Sequence, residues 1–246
     1  MTVVLKVGGS VITEKDRRET IDAPSLSAVA SAISAGRPDE TNLVLVHGGG
    51  SFGHPVASDH GVDSRTGTCD PAAARAIHAA MGRLNGAVLD ALGDVGIPAV
   101  PIHPLSMMAR DESGTLTVGM AAVDRLLEAG MVPVLHGDVV SHAGAGFTVV
   151  SGDTIVVALA ERVDADRIGV CSTVSGVHDG SGAVIPVIDS YAAVAEAVGE
   201  SEATDVTGGM AGKVRALLEA SAPAHVFDVS GLEAFLSGGT PGTRID

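Results

Sequence analysis

Short aliphatic runs recur along the 246-residue chain, and several end directly in glycine. "TVVLKV" (2–7) stops at Gly8-Gly9, and "NLVLVH" (42–47) stops at three consecutive glycines. Runs this short, with little polar alternation, predict strands buried on both faces. "PAVPIH" (98–103), 132–135, the strand-and-turn "RIGVCSTVSGV" (167–177) and "AHVFDV" (224–229) also read as strands. Between them, apolar residues fall at helical spacing. Helices are predicted over 23–34, 69–96 and about 120–129, from near Thr154, and over 189–198, 208–221 and 231–238. Asp70 ahead of Pro71 suits an N-cap followed by a first helical position. A glycine-rich hairpin is expected over roughly 137–149, and "GTPGTRID" (239–246) is expected to close the chain as an edge strand. Buried strands alternating with helices predict an α/β fold with an open, mainly parallel β-sheet sandwiched by helices. If the chain divides, the break falls near 163–167, giving lobes 1–165 and 166–246 that share one sheet.

Composition sharpens this picture. Hydrophobic residues make up 46% of the chain, which places it among globular proteins. Thirty acidic residues stand against fifteen basic ones, a formal charge of −15. Such a chain repels phosphate backbones and anionic membranes, so neither nucleic acid nor membrane is expected as a partner. There are three lysines, Lys6, Lys15 and Lys213, and every other basic residue apart from histidine is arginine. An acidic, lysine-poor composition resembles that of proteins from salt-loving organisms. Against that bias each surviving lysine is a candidate for a specific task. Cys69 and Cys171 have no CxxC or zinc spacing. They are expected as unpaired, buried or half-buried small hydrophobes. The N-terminus lacks the marks of a signal peptide, and no apolar run approaches the ~18 residues of a membrane span. A cytoplasmic protein is expected.

Ligands of open parallel sheets bind beyond the carboxyl ends of the strands. "KVGGSVIT" (6–13) and "HGGGSFGH" (47–54) sit at two such ends, and "TGGMAGK" (207–213) supplies a third glycine cluster at a helix start. Glycine lets backbone N–H groups close on an anion, and a helix N-terminus adds a positive dipole end. None of the three has the GxxxxGK[ST] or GxGxxG order. One such loop alone would read as a tight turn, but together with the sparse lysines they point to anion binding.

Six motifs now carry a resemblance: "LKVGGSVITEK" (5–15), "HGGGSFGH" (47–54), "VLHGDVV" (134–140), "SGDTI" (151–155), "DVTGGMAGK" (205–213) and "GTRI" (242–245). In this order they resemble the amino acid kinase superfamily, and within it the isopentenyl phosphate kinases of archaeal type. The resemblance implies ATP, with Mg²⁺ held mainly by the nucleotide phosphates and no dedicated protein metal site, a small phosphate substrate with an apolar tail, and a homodimer. It implies that Lys6, Gly8, Gly9 and Ser10 hold the ATP phosphates and that Lys15 stabilises the transferring group. Gly48, Gly49 and Gly50 would lie between the two reacting phosphates, with Gly50 on the ATP side. His54 would bind the acceptor phosphate, Gly152 would face the acceptor, and Asp153 would orient the lysines. Thr173, Gly208 and Lys213 would lie on the nucleotide side. The turn 172–177 reads "STVSGV" where relatives often carry acidic residues.

Phosphoryl transfer between two phosphates has to overcome charge repulsion and align the groups, so cations and N–H donors serve it better than a strong base. A phosphate monoester is already ionised near neutral pH, its second pKa being ~6. His54 therefore reads as a positioning donor, and a helix beginning at Gly53 would place it at a positive helix end. His47 ends a buried strand and is assigned a structural role. His60, His78, His103, His136, His142, His178 and His225 match no metal spacing and read as ordinary polar or capping residues. Asp138 is open between structure and ordering the site. On the helix 76–92, Met81 and Leu84 are core residues by spacing, and the resemblance makes them examples of possible tail-pocket lining. Two alternatives stay open. One is a superfamily kinase acting on a phosphonate, an amino-acid carboxylate, carbamate or UMP. The other is a non-catalytic oxyanion- or nucleotide-binding protein.

Overall fold

In the computed structural model, which describes residues 1–195 and 209–246, the chain opens on β1 (Thr2–Val7) and turns at once into the one-turn helix α1 (Gly9–Ile12). Then come α2 (Ala23–Gly36), β2 (Asn42–His47), α3 (Gly50–Asp59), α4 (Pro71–Asp94) and β3 (Ala99–Pro101). A short α5 (Pro104–Met107) precedes β4 (Met108–Arg110), β5 (Leu116–Val118), α6 (Ala121–Glu128), β6 (Val132–His136), β7 (Asp138–His142), β8 (Gly146–Val150) and α7 (Gly152–Arg162). The rest is β9 (Arg167–Cys171), β10 (Val187–Ile188), α8 (Gly209–Leu218), β11 (Ala224–Phe227), α9 (Leu232–Leu236) and β12 (Thr243–Ile245).

Among the described residues, eight strands form one sheet in the order β10-β12-β11-β9-β1-β2-β6-β3. Neighbours run parallel except β11 and β12. A smaller sheet, β5-β4-β7-β8, stands beside it. The expected open, mainly parallel sheet is therefore present. Asp70 caps α4 as anticipated, its side chain accepting from Ala72 N–H.

Alternation along β1 decides where chemistry can be placed. Val3, Leu5 and Val7 join the core beneath α2, α4 and α9, and Val4 joins the core beneath α7 and α8. Successive strand residues point to opposite faces, so Lys6 follows Val4 towards α7. Each fully buried aliphatic residue contributes roughly 1.5–3 kcal/mol. A lysine among them needs a partner to be tolerated.

Several local expectations change. Residues 243–245 do form a strand, but β10 lies outside it, so it is not the edge. The run 98–103 pairs over three residues only, and with Pro98 and Pro101 it takes the opposite edge, where a missing N–H costs least. The three-residue strands β4 and β5 were not anticipated. Of the helix expected over 189–198, the described part is a single 3₁₀ turn, Tyr191–Ala193, and 196–198 lie outside the described residues. Cys171 is buried, but Cys69 is exposed. No helix among the described residues is long and apolar enough to cross a membrane.

Candidate active site

The parallel strands end on one side of the sheet, and the glycine turns gather there. β1 stops at Gly8, whose N–H donates to Cys171 O at the end of β9 (2.8 Å). β2 stops at Gly48, whose N–H donates to Val7 O (3.0 Å). The two turns meet backbone to backbone. A Cβ built on Gly48 would lie 2.7 Å from Gly9 N, and one on Gly9 would lie 2.6 Å from Gly50 Cα. Gly50 has φ +47°, and a Cβ there would sit 2.7 Å from Gly9 O. No other residue type fits these positions without moving the backbone. Thr13 ties the turns together, its hydroxyl donating to Gly9 O (2.9 Å) and accepting from Ser51 N–H (3.0 Å).

Beneath these turns lies an ion-pair triad. Asp153 stands in the first turn of α7, whose N-cap Ser151 accepts from Thr154 N–H. Its Oδ2 is 2.7 Å from Lys6 Nζ, and its Oδ1 is 3.5 Å from Lys213 Nζ on α8. Burial alone would raise the Asp153 pKa, but the Lys6 and Lys213 ammoniums outweigh it and hold the carboxyl well below its usual range. Lys6 moves the other way. Desolvation and then the Lys213 charge lower its pKa to about 8, against the pull of Asp153. Gly152 lets α7 come close, since a Cβ there would be 3.1 Å from Lys6 Cε. Two cations thus share one carboxylate, leaving excess positive charge at the carboxyl edge.

The other residues singled out in the sequence take different places. His54 is half-buried on α3, its ring 3.0 Å from a Cβ built on Gly49. The helix begins at Gly50 rather than Gly53, so His54 is one turn in from the positive end, with Pro55 after it. Ser10 is exposed on α1. Lys15 is exposed on a loop that Glu19 N–H anchors to Ser51 O (2.9 Å), and it has no ion-pair partner among the described residues. Thr173 is exposed in the bend after β9. Gly208 lies outside the described residues. Met81 touches the site, its Sδ 2.6 Å from a Cβ built on Gly53, whereas Leu84 is wholly core.

Sequence reasoning missed a histidine cluster. His47 read as a structural strand end, and His78, His103 and His136 as ordinary polar or capping residues, yet the four rings stand 5.2 to 6.3 Å apart in a connected group. His47 donates from Nδ1 to Gly48 O (3.2 Å), and its Nε2 meets the Asn85 amide (3.1 Å). His136 donates from Nδ1 to Gly137 O (2.9 Å) and accepts at Nε2 from His103 Nδ1–H (3.1 Å). Desolvation, then the neighbouring His47, lowers the His136 pKa to about 3, so the ring is neutral. His78 donates from Nδ1 to Asp138 Oδ2 (2.8 Å). The repeated "HG" after two aliphatic runs, at 47–48 and 136–137, was the available signal. No group of three His, Cys, Asp or Glu among the described residues could hold a metal ion.

Comparison with known proteins fits this geometry. The model of the amino acid kinase family matches residues 1–228. The isopentenyl phosphate kinase of Haloferax volcanii is 56% identical over 243 residues, covering 99% of this chain and 98% of that protein. Its counterpart from Methanothermobacter thermautotrophicus is 37% identical over 88% of this chain and 85% of its own. Among solved structures, one described as an isopentenyl phosphate kinase superposes with a TM-score of 0.83 at 30% identity, covering all of both chains. The glycine turns joined backbone to backbone over a Lys–Asp–Lys triad thus belong to a kinase, and the chain is a member of the amino acid kinase family in its isopentenyl phosphate kinase branch.

Proposed function

We propose that this kinase transfers the γ-phosphoryl group of ATP to isopentenyl phosphate, forming isopentenyl diphosphate for isoprenoid synthesis. One observation carries the reading: the Gly9 and Gly48–Gly50 turns touch backbone to backbone above Lys6, Asp153 and Lys213. Two adjacent N–H-rich turns over shared positive charge fit two phosphates that must be brought together.

ATP supplies the phosphoryl group, and Mg²⁺, held mainly by its phosphates, neutralises part of their charge. The Gly8-Gly9-Ser10 turn would hold the donor phosphates, Gly9 and Ser10 through their N–H groups while the Gly8 N–H stays on Cys171 O, with Lys6 and Lys213 as counter-charges. Asp153 keeps both ammoniums in place. His54 would bind the acceptor phosphate beside Gly49, and Lys15 would reach the transferring group from its loop. Thr173 and Gly208 would serve the nucleotide. An ionised acceptor needs no base, so none of these groups has to remove a proton. A small apolar cluster of Ala57, Val62, Ala74, Ile77 and Val139, packed by Val56 and Val149, continues from α3 and would take the tail. Residues 1–165 would then bind the acceptor and carry the phosphate loops, and 166–246 would bind the nucleotide, in a cytoplasmic homodimer.

The test is a coupled ADP-release assay across a panel of small phosphates at high salt. Isopentenyl phosphate should give the highest kcat/KM. His54→Ala should lower turnover of that substrate by at least about 100-fold, the scale of losing one oxyanion donor, while ATP binding stays intact. Wild-type turnover in that variant overturns the acceptor assignment.

A further inference from the structure

The loop that carries Lys15 is a short hairpin fastened to two helices. Backbone contacts build its base. Thr13 and Ile21 form an antiparallel bridge, Asp22 N–H donates to Ile12 O (3.0 Å), and Glu14 N–H donates to Thr20 O (3.0 Å). One side is then bonded to the start of α3. Glu19 N–H donates to Ser51 O (2.9 Å), Thr20 N–H to Ser51 Oγ (3.4 Å), and Ser51 N–H to Thr13 Oγ1 (3.0 Å). Ser51 directly follows Gly48–Gly50, so the hairpin is tied to the glycine turn after β2.

The tip, residues 15–19, is exposed, yet two ion pairs cross from it to helices. Arg18 pairs with Asp59 at the end of α3, and Glu19 pairs with Arg83 on α4. In the second pair, Arg83 Nη2 (2.6 Å) and Nε (3.1 Å) both donate to Glu19 Oε2. Glu19 also has φ +49°, the left-handed region that a residue with a side chain seldom takes unless its surroundings hold it there. A third pair, Arg17 with Glu14 (3.0 Å), closes within the hairpin. Lys15 is the one cation of the hairpin without an ion-pair partner among the described residues.

We infer that Glu19 is a positioning residue for phosphoryl transfer: its left-handed backbone and its ion pair with Arg83 lock the 13–21 hairpin onto α3 and α4, so that the Lys15 ammonium reaches the transferring group. This rests on the role given to Lys15 above. A lysine is a point charge on a flexible four-carbon stem, so its reach is set by where its backbone stands. Misplacing such a group by about 1 Å costs up to about 100-fold in rate. Backbone hydrogen bonds fix the base of the hairpin, and Glu19 fixes its tip. The neighbouring charges serve the same end. Arg17, Arg18 and Arg83 each occupy a carboxylate around the tip, which leaves the Lys15 ammonium for phosphate oxygens.

The experiment is a double-mutant cycle. The parameters kcat and KM are measured for the wild type, Arg83→Ala, Glu19→Ala, Lys15→Ala, and Lys15→Ala combined with Arg83→Ala. The acceptor is whichever phosphate of the panel the wild type turns over best, so a wrong acceptor assignment leaves the cycle readable. An exposed ion pair adds little to stability, so every variant should fold, and urea unfolding midpoints check this. Arg83→Ala and Glu19→Ala should each lower kcat by about 10-fold or more, with KM for either substrate unchanged. In the Lys15→Ala background, Arg83→Ala should have no further effect, because residues that act through one group are not additive. An equal fall in both backgrounds, or an unchanged kcat in Arg83→Ala, overturns the positioning role. A Lys15→Ala protein as fast as the wild type overturns the reading of Lys15, and this inference with it.

Discussion

His47 and His136 stand opposite each other in the β2–β6 register, and each donates its Nδ1–H to the carbonyl of the glycine that follows it. Two neighbouring strands thus end in the same device, a buried neutral imidazole holding the peptide that starts the next turn. For His136 this has a consequence in acid. The unfolded ring takes up a proton near 6.5, the folded ring only at about 3. Between those values the unfolded chain binds more protons, so stability is lost as pH falls below about 6.5. Urea unfolding at several pH values from 7.5 down to 4.5 should show that slope, and His136→Asn should flatten it. An unchanged slope in the variant would falsify the assignment.

The Lys6–Asp153 contact separates stability from activity. Asp153→Asn leaves Lys6 nearly buried without its counter-charge, and should cost roughly 3 kcal/mol or more in denaturant unfolding. The double change Lys6→Met with Asp153→Leu replaces the pair by hydrocarbon and should recover most of that loss. Turnover should be down by at least about 100-fold in both, since the single variant leaves Lys6 without the carboxylate that positions it and the double variant lacks its ammonium. Recovery of activity in the double variant would mean that Lys6 holds the fold and nothing more.

Lys6 also predicts opposite pH trends for rate and stability. Its folded pKa is lowered to about 8 from 10.5. In the free enzyme kcat/KM should fall as pH rises through about 8, because the ammonium is lost. Over the same range the unfolded chain keeps its proton and the folded one does not, so Lys6 makes stability rise with pH. A pH–rate profile set beside chemical unfolding at pH 7.5 and 9.5 checks both signs, using Lys6→Met to isolate this one group.

Glycines of the turns and of the helices should respond in opposite directions to alanine. Gly50→Ala meets φ +47° and the Gly9 carbonyl, and should lose activity together with about 1–3 kcal/mol of stability. Gly82→Ala lies inside α4 with nothing within 4 Å of the new methyl, and should stabilise by roughly 0.5–1 kcal/mol at unchanged kcat. Calorimetry and steady-state rates on both variants measure the contrast.

What was legible in advance depended on whether the cause was local. "TVVLKV" and "NLVLVH" announced buried strands because their composition alone excludes the surface. Lys6, Lys15 and Lys213 drew notice because the chain has no other lysines. The Lys213–Asp153 contact, across 60 residues, was reached only through resemblance. The start of α3 was misjudged because the left-handed Gly50 is required by contact with Gly9, which no window of sequence contains. The histidine group stayed hidden for the same reason. His47 and His136 become neighbours through register, and His78 reaches Asp138 only once α4 is laid over β7.

In the pairing of β1 with β2, Val7 stands opposite His47 and each strand ends in the next residue's turn. On the proposed reading the donor phosphates rest on the turn after β1 and the acceptor phosphate on the turn after β2. Adjacent strands lie about 4.8 Å apart, a spacing set by backbone hydrogen bonds and indifferent to side chains. The sheet therefore works as a ruler. On that reading the gap a phosphoryl group must cross would be set by one rung of the ladder, and a substitution that reshapes either pocket would leave that rung where it was.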